Sequence, residues 1–279
     1  KVEGAYTART RQNDIDYSLR VIVVPDSAGN ILLSRQVSLA MGLVKKVDEI
    51  DVFGKTGLMA TSPVKIVLKE GAIPYCRTTP RNVPIPQLDA VQKELKRMEK
   101  DGIIREIKEP TDWCAPMMAV EKKNGDVRIC VDFRKLNQSV KRPYTMLPNL
   151  DTIAPKIAGS TVFSTLDVSS GFFQVPLDER SAPLTTFITE FGRYHFLRLP
   201  MGINLGPEVF QSKMIEKFSH LEGIGIIMDD VIVYGKDEAE HDKRLKLVLQ
   251  AMHDAGLRLN KEKCQFKKRE VTYFGHTLL

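Results

Sequence analysis

The chain has 279 residues, 43% of them apolar, and a formal net charge of +6. That length holds one large domain or two ordinary ones, and that apolar share suits a protein with a sizeable core. No apolar run is long enough to span a bilayer, the scattered Cys76, Cys114, Cys130 and Cys264 form no C-x-x-C pair for zinc and no disulfide framework, and the moderate positive charge permits a polyanionic partner without demanding one.

A reducing, intracellular setting is expected from the cysteines. Lys1 stands where an initiator Met would be, so the chain is expected to be a piece of a longer polypeptide. Residues 19–24 and 30–33 read as short strands around a turn at 25–30 that holds Pro25, Asp26 and Gly29. Residues 34–43 read as a short helix ended by Gly42, and a break follows near 45–62. Pro74, Pro80, Pro84 and Pro86, with Pro63 upstream, predict an extended stretch over 73–86 that depends on a partner surface.

Residues 87–101 then read as an amphipathic helix, with Leu88, Val91, Leu95 and Met98 on one face and Gly102 as its stop. Residues 117–120 and 127–132 predict a hairpin turning through 122–126. A strand is expected over 162–168, a Gly-containing turn and the segment 172–176 after it, and strands near 185–189 and 194–199. Pro207 opens a helix with Phe210, Met214 and Phe218 on one side. A second helix covers 238–255, with Leu245, Val248, Leu249 and Met252 inward and Gly256 beyond its end. A last hairpin pairs 271–274 with 277–279. Hairpins mixed with helices, rather than βαβ units, give an α+β class with an antiparallel sheet.

The most informative stretch is 226–235. Asp229 and Asp230 sit between two apolar, β-branched runs that read as strands, which leaves the pair at a tight turn. Two like charges there repel and lose solvation. A divalent cation reverses that balance, because Mg²⁺ takes hard oxygen ligands. A solvated Asp-Asp turn is the plainer alternative. Asp167 ends an apolar strand. If that strand neighbours the Asp229–Asp230 hairpin, three carboxylates converge in a manner suited to two cations and phosphoryl transfer.

Several motifs occur in one order. They are Arg128-Ile129-Cys130-Val131-Asp132-Phe133-Arg134-Lys135-Leu136-Asn137, Asp167 with Phe172 five residues on, Leu199-Pro200-Met201-Gly202, the run from Gly206 to Met214, Met228-Asp229-Asp230, and Tyr273-Phe274-Gly275-His276. In these motifs and their order the chain resembles reverse transcriptases, most closely those of gypsy-class LTR retrotransposon pol polyproteins. The resemblance covers residues 62–279 and implies polymerase fingers and palm over 73–279, ending at the primer grip, with thumb, connection and RNase H lying elsewhere in a polyprotein.

It also implies roles. Asp167, Asp229 and Asp230, with the Val168 carbonyl, would ligate two Mg²⁺, or Mn²⁺. Arg128 would hold the triphosphate of an incoming dNTP, helped by Lys122 or Lys123, between which the short turn does not choose. Phe172 would lie under the sugar and leave no room for a 2′-hydroxyl, with Phe173 as its alternate. Met201 and Gly202 would line the nucleotide pocket. Gln211, Ile227 and Met228 would face primer or template, and Phe274 and Gly275 would seat the primer 3′ end. Ile227 stands where the more familiar motif has Tyr, and Met201 where retroviral enzymes have Gln.

Residues 1–45 resemble the tail of a retropepsin-type protease. The catalytic Asp-Thr/Ser-Gly triplet of that family is absent from the sequence, so no protease activity is expected. Residues 46–72 would be a linker. The implied partners are a primed RNA or DNA template, dNTPs and the rest of the polyprotein (thumb, RNase H, integrase), in the cytoplasm or a retroelement particle and away from membranes. The alternative is a truncated or domesticated relic that binds nucleic acid without polymerising. An RNA-dependent RNA polymerase is disfavoured by Phe172.

Overall fold

The computed structural model describes residues 4–12, 15–23, 50–122, 125–143 and 147–279. The chain divides at Asp51/Val52 into two units. In the first, β1 (Gly4–Gln12) and β2 (Ile15–Val23) form an antiparallel hairpin with Gly4 opposite Val23 and Gln12 opposite Ile15. β2 overlaps the strand expected at 19–24 and starts four residues before it. β1 carries no apolar alternation to announce it. The strand expected at 30–33 and the helix at 34–43 lie outside the described residues.

The second unit runs α1 (Leu88–Lys100), β3 (Ile104–Ile107), β4 (Ala115–Glu121), β5 (Val127–Val131), α2 (Arg134–Ser139), α3 (Leu150–Ile157), β6 (Val162–Asp167), β7 (Phe187–Thr189), β8 (Gly192–Phe196), α4 (Gly206–Phe218), β9 (Ile224–Ile227), β10 (Asp230–Gly235), α5 (Glu238–Asp254), β11 (Gln265–Lys268), β12 (Val271–Tyr273) and β13 (His276–Leu278). α1 buries Val91, Leu95 and Met98 and stops at Gly102, whose φ of +64° is a conformation that suits glycine. α5 begins where the Asp237 side chain accepts from the Glu240 amide at 2.8 Å, satisfying an otherwise orphaned donor.

Two sheets organise this unit. One has the order β11-β6-β10-β9 and is antiparallel throughout. Its central strand β10 is apolar on both faces: Val231, Ile232 and Val233 are fully buried, with α5 packed on one side. The other has the order β3-β8-β7-β4-β5 and contains one parallel pair, β4 with β7, where Ala115 faces Phe187. The antiparallel expectation therefore holds for the sheet that carries the Asp pair but not for every strand pair.

The stretch expected as a linker over 46–72 packs on this unit from Val52 onward. Val52 and Met59 are buried. Phe53 bridges Leu259 in parallel, the Leu259 amide donates to the Val52 carbonyl at 2.8 Å, and the Ala60 amide donates to the Ala255 carbonyl at 2.8 Å. Its backbone is satisfied by isolated bridges rather than by a regular element, so no periodic pattern marks it.

Candidate active site

β6 and β10 lie side by side with Asp167 directly opposite Asp230. β10 also pairs with β9, Asp230 facing Ile227, which leaves Met228 and Asp229 as the turn. Met228 has φ +56°, a conformation that the first residue of a tight type II′ turn requires and that usually falls to glycine. The Val168 amide donates to the Asp229 carbonyl at 3.0 Å and locks the end of β6 to the turn. Asp167, Asp229 and Asp230 thus converge on one sheet end, as the sequence expects.

The electrostatics follow from that crowding. Burial, then Asp167 and Asp230, push the Asp229 carboxyl up to about 6, with Lys263 opposing them. Asp230 is also raised, first by loss of solvent and then by Asp167, again opposed by Lys263. The Asp229 Oδ1 atom is buried without a hydrogen-bond partner. Lys263 Nζ sits 3.0 Å from Asp167 Oδ2 and opposes this charge. Among the described residues no three His, Cys, Asp or Glu side chains are gathered into a ready metal cage. An orphaned carboxylate oxygen beside two further carboxylates is nevertheless a donor set that a hard divalent cation satisfies.

Gly171 closes the site from behind. A Cβ there would fall 2.3 Å from Asp229 Oδ1 and 2.7 Å from Phe210 Cζ, so only glycine lets this loop approach the turn. Phe172 packs on Phe210 with ring centroids 5.4 Å apart and lies against Gly206. Phe173 turns the other way, stacks on Phe196 at 6.0 Å, and offers its carbonyl to Arg198. The two rings therefore differ in place, with Phe172 on the carboxylate side.

Two expectations about nucleic-acid contacts need correction. Gln211 is fully buried. Its Oε1 accepts from the Met228 amide at 2.6 Å and its Nε2 donates to the Ile226 carbonyl at 3.0 Å, so it braces the turn and does not face template. Ile227 is also buried, within a cluster formed by Ile153, Phe163, Ile232, Tyr234 and Tyr273, and is not exposed to a primer. Strand alternation turns it inward.

Met201 is exposed, and the Gly202 carbonyl accepts from Asn137 Nδ2 at 2.9 Å. Asn137 also accepts from the Asn204 amide at 2.9 Å, so α2 holds the 201–204 loop. Lys122 lines a cleft with Lys55, Lys93, Arg97, Ser169 and Ser170, facing the loop after β6. Arg128 is exposed on β5 opposite Val120. Lys123 lies outside the described residues. Phe274 and Gly275 form the turn between β12 and β13, with φ of +49° and +78°, and Phe274 is half exposed. Gly171, Lys263 and Tyr273 are site residues that sequence reasoning missed. The Ser-Ser-Gly run before Phe172 was the available signal for the first.

The fold thus places three carboxylates at one end of an antiparallel sheet, and comparison with known proteins gives its family. Residues 120–278 match the family model described as reverse transcriptase (RNA-dependent DNA polymerase), and the chain belongs to that family. Its relatives include the retrovirus-related Pol polyproteins from transposon 412 (36% identical over 69% of this chain and 16% of that protein) and from transposon gypsy (34% over 67% and 19%), both of Drosophila melanogaster. The chain thus spans under a fifth of the length of these retrotransposon relatives. In fold it is similar to the foamy viral protease-reverse transcriptase in complex with RNA/DNA hybrid, with a TM-score of 0.74, 19% identity, and coverage of 98% of this chain and 41% of that one.

Proposed function

We propose that this chain is an RNA-directed DNA polymerase unit that extends a primer 3′-hydroxyl with dNTPs. The observation that carries this is the meeting of Asp167, Asp229 and Asp230 at one sheet end, with one Asp229 oxygen that no hydrogen bond satisfies. Asp167, Asp229 and Asp230, with the Val168 carbonyl, would hold two Mg²⁺ or Mn²⁺. Such ions, when bound, lower the charge at the α-phosphate and make the primer hydroxyl a better nucleophile. The protein's part is positional. β6 and β10 hold the carboxylates in register, and Gln211 and Gly171 fix the turn between them. Phe172 stands beside the carboxylates as a sugar-facing ring that excludes a 2′-hydroxyl. Lys122, at the mouth of the cleft, and Arg128 on the neighbouring strand supply fixed positive charge for a triphosphate. Met201 and Gly202 form the pocket floor, and Met228, Phe274 and Gly275 meet the primer end.

The template strand would be held through its backbone, with sequence left to base pairing. The activity of the whole polyprotein, with thumb, RNase H and integrase, is proposed by analogy with the Pol relatives, and the first unit is proposed as a protease-derived remnant. No described helix is long and apolar enough to cross a membrane. The test is extension of oligo-dT on poly-rA with dTTP and Mg²⁺, comparing wild type with Asp229→Asn. Extension lost in the variant supports the proposal. Salt-sensitive hybrid binding with no extension, persisting after downstream domains are restored, replaces it with a binding relic.

A further inference from the structure

Tyr273 closes the short strand β12, and its neighbours Phe274 and Gly275 make the turn into β13. The Tyr273 ring is almost fully buried, in the cluster that includes Ile227, Ile232, Phe163 and Tyr234, with Met228 packed against it. Its hydroxyl donates to the Asp230 carbonyl at 3.1 Å across 43 residues of sequence. A buried phenol is costly unless its hydroxyl finds a partner, and here that partner is the backbone of a carboxylate-bearing residue. Asp230 is held on its other edges by β6 and β9. The hydroxyl reaches it from a separate two-stranded sheet, β12-β13, at the residue before the exposed Phe274 tip.

We propose that Tyr273 is a positioning residue whose hydroxyl couples the Phe274–Gly275 hairpin to Asp230, so that the seat of the primer end and the carboxylate turn move as one body. This rests on the polymerase function proposed above. A primer end displaced by even a fraction of an ångström relative to the carboxylates loses its line of attack, so the coupling acts on turnover and not on nucleotide binding.

Tyr273→Phe keeps the ring and removes only the hydroxyl. Two measurements on the full chain test the coupling: hydrogen–deuterium exchange over 226–231, and the rate of single-nucleotide incorporation against dNTP concentration. Loss of one neutral hydrogen bond is expected to speed exchange at the turn, and lower the maximal rate, by about threefold to tenfold. The KM for dNTP should stay within about twofold, since uniform nucleotide binding is untouched. Wild-type exchange and rate in Tyr273→Phe overturn the proposal, as does a defect confined to KM. Loss of protection across the whole palm sheet also overturns it, because the hydroxyl would then be a general stabiliser. If wild type itself incorporates nothing even with downstream domains restored, the polymerase function fails, while exchange at the turn still decides the coupling.

Discussion

Gly171→Ala is the sharpest single perturbation of this site. The added methyl would lie 2.3 Å from Asp229 Oδ1 and 2.7 Å from Phe210 Cζ, against an ordinary contact of 3.4 Å or more. The Phe210 ring is fully buried and packed on Phe172, so it has little room to retreat. Asp229 has a short side chain on a turn and is the part that gives way, by roughly 1 Å, from 2.3 Å toward the ordinary 3.4 Å. Overpacking of this kind costs about 1–3 kcal/mol, or several degrees of melting temperature in a unit of this size. A displacement near ~1 Å at a reacting centre costs about 100-fold in rate. A thermal melt and a single-turnover incorporation assay, run side by side, measure both. The distinguishing result is a modest melt shift with a rate loss out of proportion to it. A variant with wild-type rate would refute the reasoning, because it would mean that Asp229 can move without consequence.

Other outcomes follow from the same geometry. Gln211→Leu strips the Met228 amide and the Ile226 carbonyl of their partner, and should destabilise by about 1–3 kcal/mol in chemical denaturation, with no change in the salt dependence of template binding. Phe172→Ala should relax dNTP-over-rNTP selection by about tenfold or more in competition assays, whereas Phe173→Ala, which removes the stack on Phe196, should lower the melting temperature and leave selection intact. The Arg134 guanidinium and amide, with Arg81, hold the Asp132 carboxyl well below the usual carboxylate range. A depressed folded pKa stabilises above the unfolded value of about 3.9 and is lost as pH falls below it. The gap in melting temperature between wild type and Asp132→Asn should therefore be open at neutral pH, narrow with added salt because Arg134 is exposed, begin to shrink as pH drops below about 4, and vanish only as pH falls through the lower folded value.

What the sequence disclosed, and what it hid, divides along physical lines. Asp229 and Asp230 were legible because charge between β-branched runs has few structural uses, and the facing strands do bring Asp167 to them. α1, α4 and α5 were legible from helical periodicity and their Pro, Gly and Asp boundaries. α3 was hidden by Pro155 inside an eight-residue helix, which begins instead from an Asn149 side chain accepting from the Thr152 amide. β3 was hidden because Ile104-Arg105-Glu106-Ile107 shows no period-two alternation. Gln211 misled because polar residues on helices usually face water, and here a buried one is satisfied by the backbone of a distant turn. Tyr273 and Gly171 act through residues far away in the chain; the Ser-Ser-Gly run marks a turn at Gly171, but no local pattern names the distant partner of either residue.

The bridge from Phe53 to Leu259, with Val52 accepting from the Leu259 amide, also sets an order of events at synthesis. At about 5–20 residues per second, some 10–40 s separate the emergence of these partners from the ribosome. During that interval Val52, buried in the finished unit, waits for Leu259, although Met59 can already donate to the Gln174 carbonyl. Long-range closure of this kind slows folding and leaves apolar chain exposed. A nascent chain halted before Leu259 would therefore keep residues 52–54 open to chaperones and proteases, even with residues 59 and 60 already docked on Gln174 and Ala255.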